Sequence, residues 1–128
     1  MKKKLSTVFL ILVIVLTPTC TFAIDETREQ LLEGALINRY LGLIGGTLQK
    51  QFGCEKVISI RRLGDTTIPY FEVKIQVVTY SQEYGKLPYD LVTLTIQDRV
   101  DLMQLSGIEK KWNISSEEYK SNCGWFKR

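Results

Sequence analysis

The chain predicts an α+β domain, with an N-terminal helix packed on an antiparallel sheet of three to four strands. Three observations lead there. A capped segment with apolar residues at three-to-five-residue steps comes first, runs of period-two alternation follow it, and turn residues separate those runs. Each run has one apolar face, as strands of an antiparallel sheet covered on one side do. The layout is loosely cystatin-like, an analogy of architecture that implies no inhibitory activity.

Before that domain stands a leader. Lys2, Lys3 and Lys4 precede an apolar run from Val8 to Leu16 and then small or polar residues, the pattern of a secretory signal peptide. The run is about half of the roughly 20 residues a membrane-spanning helix needs. Thr21-Phe22-Ala23 places small residues for cleavage after Ala23, leaving residues 24–128 as a single secreted or extracytoplasmic domain. Two alternatives stay open: an uncleaved anchor, and lipidation of Cys20. For lipidation, Thr17, Pro18 and Thr19 replace the usual leucine and small residue before the cysteine.

The leader also carries the charge excess. The whole chain has 17 Lys and Arg against 14 Asp and Glu, and three of the lysines leave with the leader. The remaining domain is neutral, whereas nucleic-acid binders usually show a basic excess or patch. Arg61-Arg62 is the local basic pair, read as solvated charge. The expected partners therefore include no nucleic acid, and a membrane only through the leader.

Cys54 and Cys123 remain after cleavage, and in an exported protein they read first as one disulfide. Closing so long a loop contributes on the order of 4 kcal/mol. Metal binding fits poorly, because the spacing is not of the Cys-x-x-Cys type and the chain has no histidine. A free thiol pair is the other reading.

Thr27 to Gln30 fits a capping box. Behind it Leu32, Leu36, Tyr40, Leu43 and Leu48 form an apolar stripe, widened by Leu31, Ala35 and Ile44. Gly42, Gly45 and Gly46 predict a kink or break, since each costs about 1 kcal/mol against Ala in a helix interior. A second helical piece is expected to run to about Phe52 and stop at Gly53. Ile58 and Ile60 then alternate with Ser59 and Arg61 as one strand. Phe71, Val73, Ile75 and Val77 make the second strand, and Val92, Leu94 and Ile96 the third. Val100 to Leu105 is expected as a fourth, ended or bent by Gly107. A tail from about residue 109 carries Ser115 to Glu118, a cap for a short helix. Asn113-Ile114-Ser115 matches a glycosylation acceptor, read as incidental.

Between the second and third strands the chain must reverse, and Gly85 and Pro88 are suited to doing so. Tyr80 and Tyr89 flank that loop and are expected to pair across the strands. Tyr84 sits mid-loop with no core period to satisfy, so an exposed aromatic contact is its natural role. Tyr80, Tyr84, Pro88 and Tyr89 together make a candidate binding loop.

Catalytic signals are sparse. Without histidine there is no Ser-His or Cys-His nucleophile and no His-ligated metal, so acid–base work would fall to carboxylates, lysines or tyrosines. Asp98 with Asp101, and Glu117 with Glu118, read as turn and cap residues. Gly42 to Thr47 imitates a phosphate loop, but lies in a helical pattern and lacks the lysine. No catalytic, cofactor-binding or metal-binding residue is assigned.

Laid out this way, residues 31–104 resemble the domain of unknown function 3888 family, small exported proteins of Gram-positive bacteria. Ala35-Leu36-Ile37 through Phe52-Gly53 is similar to that family's opening helix, with Gly42 near the place of a mid-helix proline. Phe71 to Val77 resembles its central strand. Thr79-Tyr80, Pro88-Tyr89 and Thr93 to Ile96 resemble its loop and next strand. Family members often carry a histidine before the Pro-Tyr, where this chain has Gln82, Glu83 and Tyr84, so no role of that histidine transfers. The resemblance implies export and this fold, and no activity.

The expected function is a non-catalytic exported module that binds a protein, peptide or cell-wall ligand. The alternative is a small hydrolase or transferase using carboxylates. Paired inward acids in a pocket would favour the enzyme; a flat aromatic lip would favour binding.

Overall fold

The computed structural model describes residues 26–81 and 86–124. The leader with its cleavage site, Cys20 and Tyr84 lie outside those residues. The first described element is helix α1, Arg28–Leu48. It opens on the expected capping box: Thr27 Oγ1 accepts the Gln30 N–H at 3.3 Å, and Gln30 Oε1 accepts the Thr27 N–H at 2.9 Å.

The helix does not break at its glycines. All 21 residues are continuous, so the predicted break and second piece to Phe52 are corrected. Tyr40 and Ile44 are fully buried, with Leu36, Leu43 and Leu48 packed alongside. Fully burying such a side chain contributes roughly 1.5–3 kcal/mol, so the stripe outweighs three glycines at about 1 kcal/mol each. Gln49 ends the helix in the left-handed region (φ 50°), donating its N–H to Gly45 O at 3.0 Å. Phe52 and Gly53 open a strand instead.

Four strands follow as an antiparallel meander in the order β1-β2-β3-β4. They are β1 (Phe52–Leu63), β2 (Tyr70–Tyr80), β3 (Tyr89–Asp98) and β4 (Met103–Lys111). Val73, Ile75 and Val77 of β2 and Val92, Leu94 and Ile96 of β3 face Tyr40 and Ile44 as the main core. The two central strands thus follow the predicted alternation over Val73 to Val77 and Val92 to Ile96. Phe71, expected on the same face, is 45% exposed, and β2 is buried on both faces from Val77 to Tyr80.

The outer strands depart from it. Ile58 and Ile60, expected inside, are 46% and 54% exposed, while Val57 packs against the core. Register shifts at Gly53/Lys56 and Val57/Ser59 change the phase. Ile60 shares its partner Val73's side, but stands on an outer strand flanked on one side only. β4 begins later than expected and continues through Gly107 to Lys111, with a register shift opposite Thr95/Ile96. The tail therefore starts after Lys111, not near 109.

Helix α2, Ser116–Cys123, closes the described chain, with Ser115 Oγ accepting the Glu118 N–H at 3.1 Å. It covers one end of the opposite sheet face, over Cys54, Val78, Tyr80 and Ile114. The Cys54–Cys123 disulfide is formed, with Cα atoms 5.2 Å apart, tying α2 to β1. Such a bond fits an extracellular protein. No helix of the described residues is long and apolar enough to cross a membrane.

Candidate functional site

Three of the four predicted loop residues are described: Tyr80 is buried, Tyr89 half-buried and Pro88 exposed. Tyr80 is 2% exposed, and its ring meets Tyr89 edge-on at 5.8 Å, the expected cross-strand pair. Tyr89 stacks on Tyr119 of α2 at 4.1 Å, with ring planes 13° apart. The Tyr80 hydroxyl lies 3.8 Å from Cys54 Sγ. These rings bind the small helix to the sheet. Pro88 follows a cis peptide bond from Leu87.

The same end of the molecule carries a different aromatic on the α1 side. Trp112, one residue past β4, is 61% exposed, and Lys110 Nζ lies 5.4 Å from its ring centroid. Beside it is a shallow hollow lined by Leu48, Lys50, Thr79, Asp90, Val92, Lys110 and Trp112. Its enclosed volume is about 10 Å³, room for one water. Thr79 and Asp90 face each other across β2 and β3, and both are buried. Asp90 Oδ1 accepts the Asn113 N–H at 2.9 Å, which fixes the turn carrying Trp112. The hollow thus offers a flat aromatic face, two ammonium groups and one carboxylate set among apolar walls. Its lining holds one acid, not a pair. Sequence reasoning passed over Trp112. The available signal was an aromatic at the end of a strand after two lysines, outside any core period, the same argument applied to Tyr84.

Several other acids have structural partners. Asp98 accepts two hydrogen bonds from the Arg39 guanidinium, at 2.9 Å each, and one from the Tyr40 hydroxyl at 2.7 Å. Arg39 holds the Asp98 carboxyl below the usual carboxylate range, against the opposing effect of burial. Burial first, and the Asp98 bond second, push the Tyr40 phenol up to about 12. This cluster fastens α1 to the end of β3. Glu118 pairs with Lys111 at 2.6 Å, and Arg61 pairs with Glu72, so the predicted basic pair is half neutralised. Among the described residues no group of three metal-ligating side chains is gathered.

Comparison with protein-family models, with curated proteins and with solved structures finds no match.

Proposed function

We propose that this is an exported, non-catalytic binding module, and that Trp112 with Lys50 and Lys110 forms its contact surface for a protein, peptide or cell-wall ligand. One observation carries the reading: a tryptophan is held out at 61% exposure beside a hollow whose floor is polar and buried. Exposed aromatics set next to polar groups are the residues that anchor partners. The single buried carboxylate, already committed to the Asn113 N–H, suits a positioning role better than proton transfer. The disulfide supports export, and with it removal of residues 1–23 and release of the domain. The resemblance to the domain of unknown function 3888 family points the same way.

Two measurements test it. The exported protein should start at Ile24 by intact mass; a diacylglyceryl mass on Cys20 would instead make it a lipid-anchored protein. Wall fragments and culture-supernatant components should be retained by the immobilised protein. Trp112→Ala should cut retention by roughly fivefold or more, the effect of losing an anchor above about 1 kcal/mol, with an unchanged melting temperature. Equal retention by Trp112→Ala and the parent rules this surface out.

A further inference from the structure

We infer that the Trp112 surface takes an acidic saccharide: a sugar hydroxyl enters the hollow, the C–H face of the ring lies on Trp112, and an anionic substituent meets Lys50 and Lys110. The inference rests on the binding reading above and names the class of ligand that this surface accepts.

The hollow lies where α1 ends. Thr79 and Asp90 are cross-strand partners two residues beyond the core pair Val77 and Val92, on the same face of the sheet. Leu48, the last residue of the helix, stands over them with Trp112. Two oxygens open there. Asp90 gives Oδ1 to the Asn113 N–H, and among the described residues neither Asp90 Oδ2 nor the Thr79 hydroxyl has a hydrogen-bond partner. Both residues are buried, at 5% and 3% exposure, yet none of the described side-chain oxygens is both sealed off and unpartnered. Both groups therefore reach solvent, and the hollow is the opening they share.

Size and charge select what enters. A volume of about 10 Å³ admits one atom the size of a water oxygen, which shuts out a carboxylate, a carboxamide or a guanidinium. The entering group must donate to Asp90, whose carboxylate only accepts, and share a bond with the Thr79 hydroxyl, which does both. A hydroxyl and an ammonium meet those terms. Lys50 and Lys110 decide between them: the lining carries two positive charges against one negative, so a cation is repelled and a neutral hydroxyl is not. Among the described residues neither lysine has a carboxylate partner. They are available to an anion held outside the hollow, clear of Asp90.

The ligand thus combines, within one small span, a projecting hydroxyl, an apolar face for the 61% exposed indole and a negative charge. An acidic pyranose carries all three on one ring, since its hydroxyls project from the edge and its axial C–H bonds make a face. A serine or threonine hydroxyl has no flat apolar face beside it. A tyrosine has its hydroxyl at the ring tip and must borrow its charge from another residue.

Titration calorimetry of the exported protein tests this. The probes are chitohexaose as a neutral saccharide, a hexasaccharide of alternating glucuronate and N-acetylglucosamine, a sugar-phosphodiester oligomer, polyglutamate, and a glutamate–tyrosine copolymer. At least one acidic saccharide should bind about threefold or more tighter than chitohexaose, and the carboxylate and phosphodiester arms show which anion the lysines take. Neither polypeptide should match it. Thr79→Val should weaken that binding about fivefold, the loss of one hydrogen bond, and Lys50→Gln should narrow the gap to chitohexaose. Circular dichroism checks each fold; Lys50 is exposed, so its variant decides if Thr79→Val unfolds. Equal binding of chitohexaose or of either polypeptide, or binding indifferent to the folded variants, would overturn the inference. If no saccharide binds while Trp112→Ala still loses supernatant components, the surface stands and this ligand class is wrong. If Trp112→Ala loses nothing, the surface itself is wrong.

Discussion

Single residues hold this fold at places where no smaller or differently shaped group fits. Gly64 lies in the β1–β2 turn at φ 84°, and a Cβ there would stand 2.6 Å from Ile68 O. Asp65 braces the turn, its Oδ1 accepting the Thr67 and Ile68 N–H groups at 2.9 and 2.8 Å. Gly64→Ala should therefore cost more than about 1 kcal/mol, since both the backbone and the neighbouring carbonyl resist it. A chemical-denaturation midpoint equal to the parent's would show that the turn relaxes freely. Tyr89 is the matching case among side chains. Its ring joins Tyr80 to Tyr119, so Tyr89→Ala should lose about 1–3 kcal/mol and loosen α2. Faster amide exchange confined to Ser116–Cys123 would be its mark, and unchanged exchange there would refute the link.

At the scale of elements, local chemistry was legible and phase was not. Both helix starts can be read from four residues each, Thr27 to Gln30 and Ser115 to Glu118, because a cap is a contact within one turn. The central strands were legible because each has neighbours on both sides, so alternation maps onto burial. β1 was misread because the register shift at Val57/Ser59 puts Ile58 out of phase and because Ile60, though on Val73's side, stands on an outer strand. Neither leaves a trace in composition. The hollow was equally hidden: Leu48, Asp90 and Trp112 come from three separate parts of the chain that only the fold unites. The glycines of α1 mark the opposite limit, where tertiary burial overrides propensity. A Cβ on Gly42 or Gly46 would meet nothing within 4 Å. Gly42→Ala should accordingly stabilise the protein by about 0.5–1 kcal/mol, read as a rise in melting temperature. A fall would mean that the helix needs flexibility there.

For the whole molecule, the Arg39–Asp98–Tyr40 cluster links stability to pH from both sides, because it joins α1 to the sheet through groups that titrate. Asp98 has a folded pKa below its ordinary value near 4, so its contribution is present above about pH 4 and is lost as pH falls through the depressed folded value. Tyr40 behaves oppositely. Its folded pKa is raised to about 12, so its contribution is complete below its ordinary value near 10 and fades as pH rises through 12. Tyr40→Phe removes the phenol and its bond to Asp98, and should cost about 1 kcal/mol at neutral pH. The gap between parent and variant should stay level from about pH 5 to pH 9, then close and reverse as pH approaches 12. There the parent must bury a phenolate beside a carboxylate, and the phenylalanine has nothing to ionise. Asp98→Asn should show the complementary pattern, a deficit at neutral pH that shrinks in acid as the parent's carboxylate takes up its proton. Denaturant titrations of the three proteins across that range measure both gaps. A Tyr40→Phe deficit that stays constant to pH 12 would mean that the hydroxyl acts through packing alone, and the ionic link between helix and sheet would have to be assigned to Arg39 and Asp98 without it.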